Sequence, residues 1–97
     1  MSERQGAREV ELADRVFTAL AHPARRQILL SVHYRGTCTA GDIAGRFECT
    51  WPTTSRHLAT LVQAGLLRVE RRGRERFYSA NAVLLRDLLR QWSGYFS

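Results

Sequence analysis

The chain has 97 residues, enough for one domain and too few for two. Its apolar fraction of 44% excludes a wholly disordered chain, and no apolar run approaches the roughly 18 residues of a membrane span. The net charge is +6 and all 15 basic residues are arginine, whose planar, permanently charged groups suit phosphates and base edges, so a polyanionic partner is favoured.

Residues 1–8 are polar and charged, without an apolar signal core, and are expected to form a flexible arm on a cytoplasmic protein. Val10, Ala13, Val16, Phe17 and Leu20 then recur at helical spacing and predict a first helix. In "AHPARRQILLSVHY" Pro23 suits the first turn of a second helix. Ile28, Leu29 and Val32 form its inner face, with Arg25 and Arg26 outward.

"RGTC" breaks that period, and "TAGDIAGRF" opens a short third helix capped by Thr39 and Asp42. After the tight connection "ECT", Thr50 caps a fourth helix, Pro52 enters its first turn, and Gly65 ends it as a left-handed residue. With Leu58 inward, Leu61, Val62 and Thr54 fall on the same side. Thr53, Arg56 and Thr60 point away, with His57 to one side. By helical phase Trp51 is expected to turn back and pack at the helix entrance, with stacking on a nucleic-acid partner as the alternative.

In "LLRVERRGRERFYSA" the period changes to two short extended runs around Gly73, a basic β-hairpin carrying Arg68, Arg71, Arg72, Arg74 and Arg76. "NAVLLRDLLRQWSGYF" closes the chain as a fifth helix. Leu85, Leu88, Trp92 and Tyr95 make a coiled-coil-like seam, widened by Leu84, Leu89 and Phe96. The expected architecture is mainly α with a small β-hairpin, in the order α-α-α-α-β-β-α. A tight turn between a short and a polar-fronted helix is a helix-turn-helix, and the hairpin after it is a wing.

The start of the fourth helix concentrates groups able to reach double-stranded DNA. Arginine pairs bidentately with guanine, threonine offers a hydroxyl or a methyl group, and a helix N-terminus suits phosphate. The hairpin arginines would reach phosphates or the adjacent minor groove. A docking surface for another protein, the main rival, does not require five arginines on one hairpin. Catalysis has little support: Ser55 and His57, two apart on a helix, do not face each other, and Asp42 and Asp87 lack partners.

"ALAHPARRQILL", "GDIAGRF" and "TTSRHLATLVQAGLLRVERRGRERFYSAN" together resemble the ArsR/SmtB family of bacterial winged-helix repressors over nearly the whole chain, 1–97. The resemblance implies a homodimer joined through the first and last helices, an imperfect palindromic operator near a promoter, and repression, in some members of their own operon. It carries DNA contact onto Thr53, Thr54, Ser55, Arg56 and His57, with wing contacts from Arg72 and Arg74. Thr60 and Arg71 are added by their place on the same surfaces. The dimer seam would use Val10, Phe17, Leu85, Leu88, Leu89, Trp92, Tyr95 and Phe96. The apolar residues near the C-terminus support it independently, since a monomer would leave them in water unless they cover its own first helix.

No metal or cofactor is expected. The family's arsenic-type Cys-x-Cys pair falls here on Thr39 and Gly41, with Cys38 one residue out of place. The last helix has Asp87 and no histidine in place of zinc ligands. Cys38 and Cys49 flank a helix about 13 Å long. That is far from the roughly 7 Å a disulfide tolerates, and leaves a single reactive thiol as the form a redox switch would take.

Overall fold

A computed structural model describes residues 3–47 and 49–97. Five helices, α1 (Glu3–Leu20), α2 (Pro23–Arg35), α3 (Ala40–Phe47), α4 (Trp51–Gln63) and α5 (Ala82–Tyr95), surround one small sheet. Its strands are β1 (Cys38–Thr39), β2 (Leu67–Arg72) and β3 (Glu75–Ala80), in antiparallel order β1-β3-β2. Two expectations change. α1 starts at Glu3, so most of the anticipated arm is helical backbone, while Met1 and Ser2 lie outside the described residues. The hairpin also gains a third strand: Cys38 pairs with Tyr78 and Thr39 with Phe77. Two residues are too few to show an alternation in sequence. β1 forms because β3 would otherwise present a bare edge.

The helix ends follow their local chemistry. Thr39 and Asp42 make the reciprocal box expected of them: Asp42 N–H donates to Thr39 Oγ1 at 3.1 Å and Thr39 N–H to Asp42 Oδ2 at 3.0 Å. Thr50 Oγ1 accepts from Thr53 N–H. Past α4, Gly65 (φ +82°) donates to the Val62 carbonyl, and Leu66 reaches back to Leu61, both at 3.0 Å. This paired closure satisfies the last carbonyls of α4 and turns the chain directly into β2.

Arg25 and Arg26 do not simply face outward. Arg25 Nε donates to the Ala19 carbonyl at 2.7 Å and Nη2 to Thr18, while Arg26 Nη1 donates to Leu20 at 2.6 Å. These are carbonyls of the last turn of α1, so the two guanidinium groups clamp α1 to the start of α2. The core lies beneath: Val16, Ile28, Val32, Leu58, Leu61 and Leu66 are its most completely buried side chains, each stabilising by about 2 kcal/mol through burial alone.

Asn81 joins three elements. Its Nδ2 donates to the Gly65 carbonyl at 3.1 Å and its backbone N–H to Leu66 at 2.9 Å. Its Oδ1 caps α5 at Leu84 N–H and accepts from Arg68.

Candidate nucleic-acid interface

The N-terminal half of α4 divides into a buried side and an open side. Leu58 and Leu61 anchor it to the core, and Trp51, Pro52, Ser55, Arg56, Ala59 and Gln63 remain exposed. Thr53 is half-buried, its Oγ1 accepting from the Thr50 hydroxyl at 2.9 Å. Arg56 thus stands where its period placed it, and Ser55, which the resemblance named, joins it on open surface one turn from the helix start.

Three of the candidate contacts are corrected. Thr54 is only 1% exposed and its hydroxyl donates to the Thr50 carbonyl at 3.1 Å, so it supports the helix start from within. That inward position follows from its spacing to Leu58. Thr60 turns toward α1 and lines a groove with Asp14, Arg15 and Thr18, its hydroxyl donating to the Arg56 carbonyl at 3.0 Å. His57 is 9% exposed and packs on His22, ring centroids 4.7 Å apart. The α1–α2 turn covers that flank of α4, and a helical wheel of α4 alone does not contain the turn.

His22 caps α2 by accepting from Ala24 N–H through Nδ1. Burial, followed by the positive potential of His22, Arg25 and Arg56, holds His57 below the ordinary histidine value of 6.5. The folded state therefore resists protonation at His57 more than the unfolded chain does. The sign is fixed: this stabilisation is complete above the unfolded value and is lost as pH falls through the lower folded one. Thermal melts from pH 7.5 to 5 should show a falling midpoint, with a shallower slope in His57→Gln. An identical slope in the variant would remove His57 as the cause.

In the hairpin, residues opposite one another share a face. Leu67/Ala80, Val69/Tyr78 and Arg71/Arg76 alternate with Arg68/Ser79, Glu70/Phe77 and Arg72/Glu75. Gly73 (φ +61°) makes the turn. On the second face Arg72 pairs with Glu70 at 3.1 Å and lies 5.0 Å from the Phe77 ring centre, a held cation at the surface. On the first face Arg71 and Arg76 stand directly opposite, a like-charge pair that costs stability unless an anion joins it.

A cleft of about 480 Å³ runs between the hairpin and the front of α4, with Trp51, Ser55, Arg74, Arg76 and Glu75 among its lining residues. Two of these go beyond the contacts singled out from sequence: Arg76, named there only among the hairpin arginines, and Trp51. Arg76 sits two residues before the buried Tyr78 on the same strand, which puts it on the α4-facing side, and that alternation was available in sequence. Trp51 does not pack at the helix entrance. It is 60% exposed, because Thr50 and Pro52 make the helix start without it.

A second surface lies along α1 and α5. Phe17 and Trp92 meet edge-to-face at 5.1 Å, so part of the α5 seam is covered by the chain's own first helix. Leu88 is buried and Leu85 packs against the core, which corrects Leu88 from a seam residue to a core residue. Val10, Leu89, Tyr95 and Phe96 remain in water, the last at 80% exposure, with Trp92 partly so.

Both cysteines are free thiols, Cys38 buried in β1 and Cys49 half-buried with Sγ 3.5 Å from the Phe47 carbonyl. Among the described residues no helix is long and apolar enough to cross a membrane, and no three histidine, cysteine or carboxylate side chains converge to hold a metal.

Residues 20–70 match a helix-turn-helix domain family. The transcriptional repressor SdpR of Bacillus subtilis is 42% identical over 72 residues, 74% of this chain and 79% of that protein. An ArsR-like transcriptional regulator from a Rhodococcus species superposes with a TM-score of 0.80 at 27% identity, covering 89% of this chain and 80% of that one. The homodimeric winged helix-turn-helix DNA-binding domain of a Mycobacterium bovis protein gives 0.75 at 28% identity, over 96% and 82%. With α3 and α4 as the helix-turn-helix pair and β2–β3 as the wing, the chain belongs to the ArsR/SmtB family of DNA-binding winged helix-turn-helix transcriptional regulators.

Proposed function

We propose that the protein is a repressor acting through binding, not catalysis. One winged helix-turn-helix domain per chain would pair as a homodimer on a palindromic operator, including one upstream of its own gene. The observation that carries this is the juxtaposition of Ser55 and Arg56 at the open start of α4 with a wing whose Arg71, Arg74 and Arg76 face solvent. Among the described residues the wing's one ion pair is Arg72–Glu70. The other arginines are placed for phosphates, and α4 for base edges in the major groove.

The DNA-contacting set is then Thr53, Ser55, Arg56, Arg71, Arg72, Arg74 and Arg76. Repression is supported by the likeness to SdpR, and the two-fold assembly by the likeness to the homodimeric mycobacterial domain and by the apolar face of α1 and α5. Two recognition helices so joined would sit ~34 Å apart, one turn of DNA. Neither a metal nor a cofactor is part of the reading.

The test is fluorescence anisotropy with DNA upstream of the protein's gene against a random duplex of equal length, across a salt series under reducing conditions. Preference for the upstream DNA at dimer stoichiometry supports the proposal. Equal, salt-dependent binding overturns autoregulation, and no binding to either overturns the DNA reading and brings forward protein docking. Release on oxidation alone would identify a thiol-gated form. In the same assay Arg56→Ala should lower preference for operator over random duplex by about tenfold or more, the loss of one good base contact, while the melting midpoint holds. An unchanged preference would take Arg56 off the base-reading surface.

A further inference from the structure

We propose that Trp51 is a specificity-determining residue, its ring packing on the C5-methyl group of a thymine in the operator. The inference rests on the DNA-binding reading above and names a base contact within it.

Trp51 is the first residue of α4, yet the helix start does not need it. Thr50 supplies the cap, Pro52 the first-turn φ, and the indole is 60% exposed. A single exposed apolar residue is ordinary on a protein surface, and Leu30 and Tyr34 on α2 are exposed too. Trp51 differs in its place, on the wall of the cleft that also holds Ser55, Arg74, Glu75 and Arg76. Arginines flanking an apolar ring point to a polyanion with apolar features rather than to a lipid or an apolar protein patch. In the major groove the apolar feature displayed by a base edge is the thymine methyl. At the N-terminal end of a recognition helix, the ring would reach a base edge ahead of Ser55 and Arg56. A two-fold dimer would place such a thymine in each half-site.

The experiment uses the full chain. Duplexes enriched from a random pool by the unaltered protein are compared with copies in which each half-site thymine is replaced in turn by deoxyuridine, which removes only the methyl. Expected is one position at which the exchange weakens binding about fourfold, the factor for one methyl group taken out of water. Trp51→Ala should be insensitive at that position, Trp51→Phe should recover part of the sensitivity, and both should melt with the unaltered protein. Sensitivity equal in the unaltered protein and Trp51→Ala, or absent at every thymine, overturns the Trp51 contact and leaves DNA binding standing. Failure to enrich any duplex overturns both.

Discussion

The double variant Leu89→Arg, Phe96→Arg should sediment as a monomer and bind operator about 100-fold more weakly than the unaltered protein. Leu89 on α5 and Phe96 just past its end both stand in water in the single chain and outside the core, so the substitutions leave the core intact. In the proposed dimer they would set like charges against an apolar surface. Losing the second half-site removes the gain in effective concentration that linked binding provides, commonly 100-fold or more. Leu88→Ala makes the contrast: that side chain belongs to the core, and its loss should lower the melting midpoint, by about 2 to 4 kcal/mol in stability. If the double variant still sediments with the unaltered protein as a dimer, the interface lies elsewhere. If the unaltered protein is itself a monomer, the two-fold reading falls.

Exchanging Arg74 and Arg76 for glutamine should weaken binding to every duplex while leaving the operator preference nearly unchanged. Phosphates carry no sequence information, so contacts to them set affinity and register rather than choice of site. Each phosphate neutralised contributes about 0.9 to the slope of log K against log salt. Two arginines on each of two wings should therefore flatten that slope by about 3 to 4. Removing Arg76 also relieves the opposition of Arg71 and Arg76 across the strands, so the free protein should become slightly more stable as it loses affinity. A loss of preference with an unchanged slope would reassign these arginines from phosphate to base contacts.

The elements that could be read from sequence were those with their own signal. Helical periodicity, the Thr39/Asp42 box, the Thr50 cap and the left-handed Gly65 are local, and the structure follows them. β1 depends on a partner strand some forty residues away, and two residues show no period. At the site, Ser55 came with the family resemblance, while Arg56 was legible because a helical wheel places it outward. His57 and Thr60 were not, because α1 and the α1–α2 turn come in from outside α4 and cover that flank. Helical phase turned Trp51 back toward the core, but phase is a weak guide at the first residue of a helix, where Thr50 and Pro52 already complete the start and the ring stays in water. The Arg25 and Arg26 clamp was hidden because its acceptors are backbone carbonyls, which every sequence has.

Asn81 closes the hairpin at its base, tying the strand end back to Gly65 and Leu66. The strands between are held a second time, where β1 pairs with β3 and Leu67 and Tyr78 enter the core. The tip around Gly73, beyond Arg71 and Arg76, stands clear of both holds, so its length and side chains can change while Asn81 still ties the end of α4 to the start of α5. The arginine-bearing tip is thus the part of the molecule whose reach can be re-engineered without disturbing the scaffold that positions α4.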